Sequence, residues 1–165
     1  QPVANDGLRG TPLQELWPSA DIKNVTLAAF PATRQQQPHL TLRLTTARAA
    51  SSRLRYRVAL HIVTSTGAHP YRLDFFHARD GWRATLRDAT NEKRAWTVTV
   101  AAKNGGLDVQ VPRAALNLSG SQPATLLVAA SSLVGSRAID RSSLGTLRLL
   151  PEARVAQSTF AFSRN

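Results

Sequence analysis

The stretch from Arg53 to Val63 constrains this chain more than any other. Leu54, Tyr56, Val58, Leu60 and Ile62 alternate with Arg53, Arg55, Arg57, Ala59 and His61. A period of two is the pattern of a strand with one buried face. A helix would scatter the arginines around its circumference. A strand sets all three on one face and sends the apolar set into a core. The stretch therefore predicts sheet structure, and it predicts that one sheet face is basic.

The same period recurs along the chain. Leu40, Leu42 and Leu44 alternate with Thr41, Arg43 and Thr45, and Tyr71, Leu73 and Phe75 with Arg72, Asp74 and Phe76. Trp82, Ala84 and Leu86 alternate with Arg83, Thr85 and Arg87, and Trp96, Val98 and Val100 with Thr97 and Thr99. Leu107, Val109 and Val111 follow Asn104-Gly105-Gly106, a strong hairpin signal. Residues 21–30, 124–130, 144–150 and 155–162 complete the expected strands, with Phe160 and Phe162 on one face. Polar loops are expected at 31–38, 46–52, 88–93 and 131–143. Residues 113–118 are expected to form one short helical turn. Eight to ten short strands with no long amphipathic helix predict an all-β domain, a two-sheet antiparallel sandwich of immunoglobulin-like or jelly-roll-like form. A closed barrel is the rival architecture. Residues 1–20, with Pro2, Gly7, Gly10, Pro12 and Pro18, read as an extended lead-in to a single domain over 21–165, with a short turn of helix at Thr11 to Leu16 and Trp17 as its anchor.

Composition narrows the partners. The 165 residues carry a formal charge of +11, and all basic residues except Lys23, Lys93 and Lys103 are arginine. Such a chain favours anionic partners. No cysteine is present, which excludes disulfides and thiolate metal sites. No apolar run approaches the ~20 residues that span a bilayer as a helix. A chain that begins at Gln1 and lacks methionine reads as one whose export leader has been removed. The expected location is therefore secreted, periplasmic or at the cell surface.

Three segments carry a family likeness. They are Pro18 to Leu27; His39 to Ile62 with Tyr71 to Leu86; and Leu107 to Leu116, where a strand ends at Pro112 and turns to Leu116, with Leu126 to Ser131 following. In these the chain resembles the DOMON-like sandwiches, which include family-nine carbohydrate-binding modules and the C-terminal binding modules of some secreted glucan hydrolases. The resemblance implies non-catalytic ligand binding, commonly of sugars and in some members of haem, with structural calcium in others. This chain departs from the family in its basic charge and in lacking an acidic cluster. It also lacks methionine, a common axial haem ligand in the family. No metal and no cofactor is expected.

The residues offer no catalytic motif. His39, His61, His69 and His77 form no His-x-x-x-His or Glu-x-x-His pair, although His39 and His61 can meet if their strands are neighbours. No serine sits in a nucleophile-elbow context. Asp74, Asp80 and Asp88 are close in sequence and raise the question of a carboxylate pair; a turn role for Asp80 and an arginine partner for Asp74 are the simpler reading. The chain is read as no enzyme. If residues 39–45, 53–63, 71–77 and 82–87 form one meander, the outward set is Arg43, Arg53, Arg55, Arg57, Arg72, Arg83 and Arg87. Tyr71, Phe76 and Trp82 are the aromatic candidates beside it. The expected function is attachment to a carbohydrate or an anionic surface polymer through these residues. An acidic protein partner is the alternative. Nucleic acid is not favoured, because few aromatics are interleaved for base stacking.

Overall fold

A computed structural model describes residues 13–118, 123–141, 145–149 and 156–161, with 13–14 and 156–161 described by backbone alone. The elements in chain order are α1 (Leu13–Ala20), β1 (Ile22–Phe30), β2 (His39–Thr46), β3 (Arg55–Thr64), β4 (Gly67–Ala78), β5 (Gly81–Asp88), β6 (Asn91–Lys103), β7 (Gly106–Pro112), a 3₁₀ turn (Arg113–Leu116), β8 (Ala124–Val134), β9 (Arg137–Arg141), β10 (Gly145–Leu149) and β11 (Ala156–Ala161).

These strands do not form the expected two-sheet sandwich. They form one antiparallel sheet in the order β10-β8-β3-β4-β5-β6-β7-β2-β1-β11, with β9 paired to β8. The ends of that path, β10 and β11, meet across a seam, so the sheet curls into a nearly closed barrel. The strand responsible is β6. Its first part pairs with β5, from Arg87↔Ala95 to Arg83↔Thr99. Its last part pairs with β7, from Val100↔Val109 to Lys103↔Gly106. A strand that changes partners along its length carries the hydrogen-bond ladder from one half of the sheet to the other. The sequence hides this, because β6 opens with Asn91, Glu92, Lys93 and Arg94, all exposed, where a polar loop is expected. The real turn is Ala89-Thr90 alone. Near-closure also leaves few unpaired edges, the usual liability of an all-β chain.

The alternation seen in the sequence fixes which face is inside. Leu42, Tyr56, Leu60, Leu73, Phe75 and Leu86 belong to one continuous buried core. Within the expected loop at 131–143, the described residues 131–141 belong to a hairpin instead. β8 continues to Val134, Gly135 takes the positive φ of 58° that the turn needs, and β9 runs back to Arg141. The Asn104-Gly105 turn is as read, with φ of 51° and 73°. The facing of Phe160 and Phe162, and residues 1–12, lie outside the described residues.

Where it is described, the lead-in is helical: the short turn expected over Thr11 to Leu16 overlaps α1, which runs on to Ala20. α1 packs Leu16 and Ala20 into the core, with Trp17 against it. Its last carbonyls would be orphaned at a buried helix end. The Tyr56 hydroxyl donates to Ser19 O at 2.7 Å, and the Ser132 hydroxyl donates to Ala20 O at 2.8 Å. Burial pushes the Tyr56 phenol up to about 12, so the hydroxyl remains a donor through the physiological range.

Candidate functional site

The outer face of β3, β4 and β5 carries five of the seven predicted arginines. Arg55 and Arg57 lie on β3, Arg72 on β4, and Arg83 and Arg87 on β5. The meander β3-β4-β5 is as expected, but β2 lies between β1 and β7 and is no part of it. Arg43 therefore belongs elsewhere. Its Nη1 donates to both Asp108 carboxylate oxygens, at 3.0 and 2.8 Å, and its Nη2 donates to Lys103 O and Asn104 O, each at 3.1 Å. It fastens the β6–β7 hairpin, and Gly106 gives it room: a Cβ there would lie 2.9 Å from the guanidinium. Arg53 precedes the strand, exposed in the connection between β2 and β3. His39 and His61 are likewise not on neighbouring strands.

Asp74 is the centre of the basic face. Leu73 and Phe75 point inward, so Asp74 points outward, yet it is only 5% exposed because arginines cover it. Arg57 Nε donates to its Oδ1 at 2.7 Å and Arg72 Nε to its Oδ2 at 3.0 Å. One carboxylate thus holds two guanidinium groups by their Nε edges, leaving their Nη ends to other partners. Arg72 also stands directly opposite Arg87 on β5. Like charges in that relation repel. Asp80 serves its turn, accepting from Arg83 Nη2 at 2.6 Å.

Asp88 takes no part in the basic face. It lies in the inward register of β5 beside Tyr71. Its Oδ1 accepts from the Thr90 hydroxyl at 2.7 Å and from Thr90 N at 2.9 Å, and His69 Nε2 lies 2.9 Å away. The Thr90 hydroxyl chiefly, and His69 with it, lower the carboxyl to about 2. A depressed carboxyl stabilises the fold above its unfolded value of about 4. That contribution is expected to disappear as pH falls from about 4 through about 2. In acid melts of wild type and Asp88→Asn, the stability gap should therefore close over this window. A gap unchanged down to the bottom of it would contradict the arrangement. Asp74 and Asp88 face opposite ways, so the two carboxylates are not brought together.

The aromatic candidates divide. Tyr71 is buried in the core, and burial chiefly raises its phenol. Trp82 is half-buried against the core at the barrel rim, with its ring 5.8 Å from Tyr56 and 5.4 Å from His77. Phe76 alone faces outward among the arginines, directly opposite Arg83.

The sequence reading missed a groove. It has a volume of about 850 Å³ on the outer face of β1, β2, β7 and the later part of β6. Thr41, Gln37, Thr97 and Thr99 line it, and Gln36 donates to Gln110 across it at 3.3 Å. At one end Phe30 and His39 stack with ring centres 5.1 Å apart and planes 15° from parallel. The volume lies within the ~300–1,000 Å³ common among ligand sites. The groove joins the basic face through β6. Thr97 lies opposite Thr85 and Thr99 opposite Arg83, so β6 carries the outer surface from the arginines to the groove.

Among the described residues no group of histidine and acidic side chains is placed to hold a metal, and no helix is long and apolar enough to cross a membrane. No protein-family model, no curated protein and no solved structure matches the chain.

Proposed function

We propose that this chain is a non-catalytic binding module for an anionic, carbohydrate-containing polymer, acting in an exported or surface-attached protein. The observation that carries the reading is the continuity of the outer face, from the β3–β5 arginines through Thr97 and Thr99 into the groove, whose lining mixes threonine and glutamine with apolar side chains. Guanidinium groups engage phosphate, sulfate or carboxylate groups through paired donors. Threonine and glutamine side chains suit the hydroxyl groups of a sugar chain, and a stacked ring pair offers a flat apolar surface to a pyranose face. Non-catalysis is supported by the carboxylates. Asp74 is occupied by Arg57 and Arg72, and Asp88 by its own turn.

The test is binding of the purified protein to heparin, polygalacturonate and neutral glucans at low and high salt. Heparin or polygalacturonate is expected to bind at low salt and to release as salt rises. Absence of binding to both at low salt overturns the reading. Salt-insensitive binding to neutral glucans alone would also overturn the arginine face and leave the groove as the site.

A further inference from the structure

Beside the arginine rows, at the β3–β8–β9 end of the outer face, is a small depression of about 310 Å³. Its donors are Arg57, Arg141, Ser131 and Ser136, and its floor is made of alanines, Ala59 and Ala129 among them. We propose that this depression is a subsite for one tetrahedral oxyanion, a phosphate or sulfate group. The proposal deepens the polymer-binding reading and rests on it in assigning the anion to a polymer substituent.

Cross-strand register supports the assignment. Arg57 lies opposite Ser131, and Ser131 opposite Arg141. The three residues form one row over adjacent strands, so the two arginine backbones are about 10 Å apart, two strand spacings. Two long guanidinium side chains rooted at that separation can converge above the serine between them. Neither is spent on a carboxylate within the depression. Asp74, on the far side of Arg57 in the same row, takes only its Nε at 2.7 Å. Arg141 has no ion-pair partner among the described residues. Holding Arg57 by one edge fixes the guanidinium before an anion arrives, which reduces the entropy lost on binding.

The backbone around the depression is specialised too. β9 carries one extra residue, Ile139, between the pairs Ser132↔Asp140 and Leu133↔Ala138. Bulges of this kind re-aim neighbouring side chains. Gly135 forms the tip that presents Ser136. The small alanine floor lets a compact group approach the sheet. Donors arriving from two guanidinium planes and two hydroxyl groups suit a tetrahedral group better than a planar carboxylate.

The test is an NMR titration of the whole protein with inorganic phosphate, sulfate and acetate. Phosphate or sulfate is expected to shift the Ser131, Ser136 and Arg141 amides saturably, and acetate to bind more weakly. Arg141→Ala should weaken phosphate about tenfold and Ser131→Ala less, since one charge-assisted pair is lost only in the first. Arg141 is exposed, so its variant should melt like wild type. Phosphate bound equally by wild type and Arg141→Ala overturns the subsite, as does acetate binding as tightly as phosphate. Heparin binding distinguishes the two levels. If heparin binds and these amides do not move with phosphate, the subsite falls and the module reading stands. If phosphate shifts them saturably while heparin and polygalacturonate fail to bind, the subsite stands and the polymer falls.

Discussion

Asp74→Ala is expected to destabilise the protein by about 2–3 kcal/mol, the worth of two charge-assisted hydrogen bonds after discounting for exposure. The carboxylate is buried, but its partners Arg57 and Arg72 are 37% and 32% exposed, so water screens part of each pair. Removing it leaves Arg57 without its ion pair and Arg72 directly opposite Arg87, with only the long 4.0 Å contact of Arg72 to the exposed Glu92 remaining. Repulsion then adds to the lost bonds. The expected fall in melting temperature is about 5–10 °C for a chain of this size. Asp74→Asn keeps the shape and one acceptor and should lose about half as much. Added salt should shrink the deficit of the alanine variant, because it screens the arginines from one another. Thermal melts of the three proteins at low and high salt measure all of this. An alanine variant as stable as wild type would show that the carboxylate does not organise the face.

The sequence was most legible where one face of a strand is buried. Alternation assigned the facing of Leu40 to Leu44, Tyr56 to Ile62, Leu73 to Phe75 and Ala84 to Leu86, because a slip of one residue would put every arginine in the core. It also read the Asn104-Gly105 turn, whose backbone needs positive φ. Alternation says nothing about which strands are neighbours. Arg43 has the same local pattern as Arg57, yet long-range pairing puts it beside Asp108. The sandwich expectation failed at β6, whose first turn of polar residues is exposed strand rather than loop. Arg141 was missed for the same reason. The hairpin from Ser131 to Arg141 is polar and small, so its composition resembles that of a loop while its hydrogen bonds are those of a sheet. The groove was invisible because its walls come from β1, β2, β6 and β7, which long-range pairing and not local pattern brings together.

Charge reversal at Arg55 and Arg87 is the decisive experiment on function. Neither arginine has an ion-pair partner among the described residues, so neither is bound into the fold as Arg57 and Arg72 are. In the double variant Arg55→Glu/Arg87→Glu, heparin affinity at low salt is expected to fall by at least about tenfold, a loss of ~1.4 kcal/mol or more. The slope of log affinity against log salt should flatten by about two, one for each phosphate-like contact no longer made. Stability should move the other way. Arg72 and Arg87 stand directly opposite each other, and a like-charged cross-strand pair is unfavourable. Glutamate at 87 would face Arg72 and convert repulsion into attraction, a gain of about 0.2–1 kcal/mol. A variant that melts higher while binding less cannot owe its loss to unfolding. That combination would mean the wild-type face holds an unfavourable charge pair for the sake of an anionic ligand. Unchanged heparin binding with the same gain in stability would instead make the arginines a solvated surface, and the module reading would fail.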